Sequence, residues 1–314
     1  MSTLVETRIT YGEALLELGR ARADVVVLDA DLYKSTRTEL FRYAFPDRFF
    51  DMGIAEQDMV STAAGLAAAG FVPFANSFAM FITARCWDQT RIQICYPSLP
   101  VRLVGSSAGL TQGADGASHQ SLEDVALMRC LPNMTVIVPA DDVETRAATI
   151  ALADLPGPAY LRLGRYPSPR VMPDDYRFEC GRMTRLRDGD DVAIFAMGHC
   201  VAKALDAAEL LSEDGIEARV VNVSTPKPLD TAAAVEHAAG VRRVFTVEEH
   251  SIIGGLGSAI AEALAAESIA APLHRIGVHD EFGESGFADE LLEKHGLQAD
   301  GIRETVRHET MRGA

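Results

Sequence analysis

The chain of 314 residues reads as α/β: two doubly wound domains, a larger parallel-sheet domain over residues 1–165 and a smaller α/β domain over 181–314, joined by a linker at 166–180. Three observations predict this. Short apolar runs alternate with segments of helical spacing, the pattern of strands buried on both faces and joined by crossover helices. The alternation breaks where Pro167, Pro169, Pro173, Asp174 and Asp175 cluster without periodicity, and it restarts at Asp191. Several apolar runs end in polar or glycine-rich loops, at the edge where parallel sheets build their sites.

The first helical stretch is 11–22, with Ala14, Leu15, Leu18 and Gly19 on one stripe. Val25 to Leu28 is a strand that ends in Asp29-Ala30-Asp31 and a polar loop, Tyr33 to Arg37. A strand-like run closes at Gly53. Glu56 follows and opens a helix rich in small residues, Ser61 to Ala68, over which another backbone can come close. At this strand–helix junction Glu56 fits two roles: a hydrogen-bond partner for a heterocyclic ligand, or a first-turn acid favoured by the helix dipole.

Phe71 to Phe74 reads as a strand, Phe81 to Cys95 as a helix and Val101 to Val104 as a strand. That strand runs into a Gly- and Ser-rich loop, Gly105 to His119, long enough to be functional rather than connective. A helix from Leu122 to Cys130, a strand from Thr135 to Val138, a helix from Val143 to Leu152 and a strand from Ala159 to Leu163 complete the first domain. Arg162 and Arg165 leave this last strand as phosphate ligands or as solvated side chains. The second domain has strands at 191–196, 218–223, 241–247 and 272–276, and helices at 201–211, 257–266 and 291–311. His199 and His250 follow strand ends and read as contact or capping residues. Gly254-Gly255-Leu256-Gly257 reads as tight packing at a helix entry in preference to a phosphate cradle.

Composition narrows the function classes. A formal net charge of −16 and a pI near 4.9 disfavour nucleic acid and anionic membranes as partners. No uncharged apolar run reaches the ~18 residues of a membrane span, and the N-terminus has no signal core. The five cysteines, Cys86, Cys95, Cys130, Cys180 and Cys200, include no CxxC pair and read as reduced core thiols of a cytoplasmic protein.

Five groups of residues occur in one order: Gly53-Ile54-Ala55-Glu56-Gln57-Asp58-Met59; Ser77-Phe78-Ala79-Met80-Phe81 with Arg85 and Asp88-Gln89; Gly113-Ala114-Asp115-Gly116-Ala117-Ser118-His119-Gln120 with Leu122-Glu123-Asp124; Leu131-Pro132-Asn133 with Pro139-Ala140-Asp141; and Glu248-Glu249-His250 with Gly254-Gly255-Leu256-Gly257. In order and spacing the set resembles the C-terminal half of transketolase, from about Thr7 to the chain end. The resemblance implies the pyrimidine-binding and C-terminal domains of a split transketolase. It implies thiamine diphosphate as cofactor, with Mg²⁺ and the diphosphate held mainly by a separate N-terminal subunit in an α2β2 heterotetramer. Consistent with that division, the family's Gly-Asp-Gly…Asn diphosphate motif is not present, and Asp188-Gly189-Asp190 reads as a turn.

The implied reaction is transfer of a two-carbon ketol unit from a ketose phosphate to an aldose or aldose phosphate, as in pentose phosphate metabolism. By match to the family, Glu56 bonds the pyrimidine nitrogen N1′, and Phe78 and Phe81 surround the ring, with Phe81 stacking on it. Arg8, Ser35 and Arg165 match sugar-phosphate ligands. Asp115 and His119 match groups that bond sugar hydroxyls, His119 also as a proton carrier. Glu56 and His119 are thus the catalytic candidates, and no metal ligand is assigned to this chain. Ser107 stands where many transketolases have a phosphate-contacting histidine, which leaves the anionic end of the substrate open. A 2-oxoacid dehydrogenase β subunit and a deoxyxylulose-phosphate-synthase-like enzyme share the architecture. Ser118-His119-Gln120 and the Arg8, Ser35 and Arg165 set favour transketolase over the first, and the second is normally one long chain. A degenerate regulatory or scaffold half-domain is the non-enzyme alternative, against which the intact Glu56, Phe81, Asp115 and His119 argue.

Overall fold

Val25-Val26-Val27-Leu28 offers no polar side chain to water, and it forms a strand buried along its whole length. The same logic holds for the other central strands of a computed structural model that describes residues 4–269 and 271–312. In the first domain β1 (Leu4–Glu6) is followed by β2 (Val25–Asp29), β3 (Phe49–Asp51), β4 (Val72–Phe78), β5 (Arg102–Ser106), β6 (Thr135–Ile137) and β7 (Ala159–Arg162). Strands β2 to β7 form a parallel sheet in the order β3-β2-β4-β5-β7-β6. Then come β8 (Pro167–Pro169), β9 (Thr184–Arg187), β10 (Val192–Ala196), β11 (Ala218–Asn222), β12 (Arg243–Ser251) and β13 (Leu273–Val278). The second sheet has the order β13-β12-β10-β11-β9, with β9 antiparallel at its edge and the rest parallel. These are the two α/β domains, and helices cover the sheets. One apolar cluster is continuous from Met59, Ile82 and Leu103 in the first to Phe195, Val221 and Leu256 in the second.

Several elements differ from the sequence expectation. The linker 166–180 carries a strand of its own: β8 pairs antiparallel with β1, Leu4 opposite Pro169, and Asp141 accepts from the amides of Val171 and Met172 at 2.7 Å each. Prolines suit such a short edge pairing because few ladder donors are needed. The helix expected over 81–95 is broken into π-helical turns at Phe81–Arg85 and Thr90–Cys95, with a non-helical Cys86 (φ −110°, ψ 15°) between them. The tail is two helices, Ala288–Lys294 and Ala299–Met311. Gly296, at φ +68°, ends the first of these in the left-handed conformation that glycine supplies at little cost. Cys86, Cys95 and Cys200 are buried core thiols, whereas Cys130 is exposed and Cys180 half-buried: both lie in turns.

The domains meet over buried polar groups at the end of β12. Glu248 accepts from the amides of Leu256 and Gly257 at 2.7 and 2.8 Å, so the glycine-rich helix entry is filled by the protein's own carboxylate. A Cβ on Gly255 would lie 2.0 Å from Glu248 Oε2, which explains the glycine. His250 accepts from the Ala126 amide through Nε2 (3.4 Å) and sits 2.7 Å from the Ser251 carbonyl through Nδ1. It therefore caps helix Asp124–Arg129 from across the domain boundary, as a neutral ring.

Burial, against the pull of nearby Asp124, pushes the His250 pKa down to about 4. Because the unfolded chain takes up this proton near pH 6.5, the ring's contribution to stability is fully present above about pH 6.5. It is lost as pH falls toward 4. Unfolding free energies measured by denaturant at pH 7 and pH 4 should therefore fall more for wild type than for His250→Gln, by up to about 3 kcal/mol. An equal fall in both proteins would contradict the neutral buried ring.

Candidate active site

Every loop that leaves the carboxyl edge of the first sheet carries a residue singled out from sequence. After β3 the chain turns at Gly53 (φ +67°) and enters helix Glu56–Ala68. Glu56, its first residue, is only 2% exposed. Its Oε2 accepts from Arg85 Nη1 at 2.7 Å, and Ser77 Oγ lies 3.5 Å from Oε1. Arg85 comes from the π-helical turn after β4, and its guanidinium lies over the Phe81 ring, 4.3 Å from the centroid. Phe78 and Phe81 stack with centroids 6.1 Å apart. His119, arriving on the loop after β5, meets both edge-on, at 6.0 and 5.1 Å. Glu56, Phe78, Phe81 and His119 are thus gathered into one cluster, with Arg85 joining the carboxylate to the aromatic wall.

A second group lies along the same edge. Helix Thr7–Ala21 begins there: Thr7 Oγ1 donates to the Gly164 carbonyl at 3.2 Å after β7, and Arg8 Nη1 donates to the Ser35 carbonyl at 2.9 Å in the loop after β2. Arg8 also pairs with Glu6 at 2.6 Å. Arg165, next to Gly164, is exposed. Asp29 shapes the loop that bears Ser35. Fully buried, it accepts from the Leu32 amide, Thr36 Oγ1 and Thr38 Oγ1 at 2.6, 2.7 and 2.9 Å. Burial raises its pKa to about 6 despite these donors.

Arg162 is not available to an external phosphate. It is buried, donates through Nε to Asp124 Oδ2 at 2.8 Å and reaches the Glu249 carbonyl at 2.9 Å. Strand alternation turns it into the domain contact, and Arg165 alone of the two reaches solvent.

The loop from Ser106 to Ser121 is held from several sides. Glu249 of the second domain accepts from the Thr111 amide and pairs with His199 Nε2 at 2.8 Å; a Cβ on Gly109 would strike the Glu249 carboxylate at 2.3 Å. Gln120, also buried, donates to the carbonyls of Leu110, Gly113 and Glu284 at 3.2, 3.1 and 2.8 Å. Asp115 is exposed and accepts from Gln112. His119 Nδ1 is 2.9 Å from Ser118 Oγ. Within this loop the buried Ser106 Oγ, Ser107 Oγ, Thr111 Oγ1, Gln112 Oε1 and Ser121 Oγ have no hydrogen-bond partner among the described residues. Ser107 also sits at φ +56°, a strained conformation for a non-glycine residue. Ser106 stands opposite Phe78 in the β4–β5 register, so an unpartnered buried hydroxyl lies next to the aromatic wall, which suits a polar ligand.

Sequence reasoning missed the roles of Arg85, Asp29, Gln120 and Glu249. Arg85 had a signal, its place four residues after Phe81 on a helical turn. Glu249 had none, because its partners are distant in the chain, and for Gln120 the link to Glu284 is distant while the links to Leu110 and Gly113 depend on how the loop folds back.

Residues 4–169 match the transketolase pyrimidine-binding domain and residues 181–302 the transketolase C-terminal domain. A chain of Methanocaldococcus jannaschii described as a transketolase C-terminal section is 45% identical over 95% of this chain and 94% of its own length. A 6-deoxy-6-sulfo-D-fructose transketolase subunit of a Clostridium species is 44% identical over 97% of this chain and 94% of its own. Among solved structures, a split-gene transketolase described as an inactive β4 tetramer is 50% identical with a TM-score of 0.91, covering 98% of this chain and 99% of that one. With both domains matched in order over nearly the whole length of such relatives, the chain belongs to the transketolase family, as a C-terminal (β) subunit.

Proposed function

We propose that this chain supplies the pyrimidine half of a thiamine diphosphate site in a transketolase, and that a separate subunit supplies the diphosphate and Mg²⁺ half. The observation that carries the reading is the Glu56 carboxylate, buried at 2% exposure beside the Phe78, Phe81 and His119 cluster at the carboxyl edge of a parallel sheet. When bound, thiamine diphosphate supplies the nucleophilic carbon and the electron sink needed to break and remake the carbon–carbon bond beside a ketose carbonyl. The protein's part is placement and proton control. Glu56 accepts a hydrogen bond from a pyrimidine nitrogen, and its burial strengthens that bond. Phe81 offers the ring a stacking face, and Phe78 backs it. His119 and Asp115 take sugar hydroxyls, His119 holding or releasing a proton there.

Arg8, Ser35 and Arg165 hold the anionic end of the sugar, by charge-assisted hydrogen bonds that suit a tetrahedral oxyanion. That end is a phosphate or, as the name of the Clostridium relative invites, a sulfonate. The need for a partner is supported by the solved β-chain relative, described as inactive as a β4 tetramer. The assembly that completes the site is α2β2, with two-carbon ketol transfer as its reaction.

Glu56→Ala in the assembled complex should keep its far-ultraviolet circular dichroism and lose at least about 100-fold in turnover; wild-type turnover would sink the assignment. Arg165→Ala should raise KM for a ketose phosphate by about 10-fold or more while kcat changes little, because one charge-assisted hydrogen bond is worth about 1.5–3 kcal/mol. An unchanged KM for a ketose phosphate and for a sulfonated ketose alike would remove Arg165 from the substrate site.

A further inference from the structure

The two groups that the proposed function gives to the pyrimidine are both in contact with a single side chain. Arg85 Nη1 lies 2.7 Å from Glu56 Oε2, and the same guanidinium covers the Phe81 ring at 4.3 Å. Glu56 is 2% exposed, whereas the Arg85 side chain is 44% exposed, so the arginine closes the site from its solvent side. The turn that carries it is π-helical, a geometry that recurs where a helix is adapted to function. Its backbone is fixed, with Gln57 Nε2 donating to the Arg85 carbonyl at 3.1 Å. The long, solvent-reaching side chain can therefore move while its anchor stays.

We propose that Arg85 is a latch over the cofactor site: it fills the place of the pyrimidine while the site is empty, and the incoming ring displaces it. The inference rests on the reading of Glu56 and Phe81 given above. A buried carboxylate without a partner is costly, so the empty site needs a counter-charge, and Arg85 is the cation that reaches Glu56. A ring nitrogen that donated to Glu56 Oε2, and a ring stacked on the phenyl face that the guanidinium covers, would compete with that guanidinium for the same space. Binding then requires the pair to open. The apparent affinity of the cofactor is lowered by the fraction of chains in which the latch is closed.

Arg85→Met keeps the length and apolar stem but removes the charge. Two readouts test the latch in the complex of this chain with its diphosphate-binding partner: calorimetric titration with thiamine diphosphate and Mg²⁺, and the thermal midpoint without cofactor. The latch predicts that Arg85→Met binds about 5- to 10-fold more tightly than wild type. It also predicts that the cofactor-free midpoint falls by several degrees. In a Glu56→Gln background the same substitution should lower the midpoint less than it does in wild type, because the charge that the guanidinium answers is already gone. Binding that weakens in Arg85→Met, with wild-type binding intact, overturns the latch alone and makes Arg85 a cofactor ligand. An unchanged midpoint together with unchanged binding also overturns it. Failure of wild type and variant alike to bind overturns the functional reading and the latch with it.

Discussion

The buried pair of Arg162 and Asp124 fixes the site more than any other single interaction. Arg162 stands at the end of β7, Asp124 opens the helix after the site loop, and Tyr160 adds a hydroxyl to the same carboxylate oxygen at 2.6 Å. From there the guanidinium continues to the carbonyls of Ser121 and Glu249. One cation thus ties together the last central strand, the end of the loop from Ser106 to Ser121 and the second domain. Two charges withdrawn from water hold their place only while each satisfies the other, and removing one partner of such a pair costs about 3–5 kcal/mol. The geometry of His119 depends on this frame, since its loop has little regular structure of its own.

Among the described residues the second domain adds none to the aromatic wall, yet it shapes the loop that does. Glu249 fills the space beside Gly109 and takes the Thr111 amide. The segment around Glu284 receives Gln120. Glu249 is held below the ordinary carboxylate range: burial opposes ionisation, and His199, Arg162 and the Thr111 amide overcome it. A permanent anion at this point anchors the loop by charge as well as by shape. The two domains form one device for presenting loops at a sheet edge, which accounts for their continuous apolar cluster.

Much of this was legible in the sequence, for identifiable reasons. Val25 to Leu28 and Asp191 to Ala196 announce buried strands because parallel sheets exclude polar side chains on both faces. Glu56 was legible as the acid between a strand end and a small-residue helix, and Phe78, Phe81 and His119 by their match to a family pattern. What stayed hidden depends on distance or on backbone detail. Arg162 and Arg165 look alike in sequence, but Arg162 ends β7 and turns to the buried Asp124, whereas Arg165 lies beyond the strand and is exposed. The π-helical turns over 81–95 keep a helix-like apolar pattern while adding a residue per turn, so periodicity alone reads them as α-helix. The order of segment 166–180 depends on Asp141 and on β1, far away in the chain. Arg85 was visible but without meaning until the structure put it on Glu56 and Phe81 together.

The central claim is that this chain owns half of a cofactor site. Calorimetric titration of thiamine diphosphate with Mg²⁺ tests it most directly, first into the chain alone and then into the chain mixed with a subunit bearing the diphosphate domain. Binding only in the mixture, with one cofactor per pair of chains, is the predicted result. Tight binding to the chain alone would place a complete site within it, and absence of binding in the mixture would remove the cofactor from the account; either contradicts the claim.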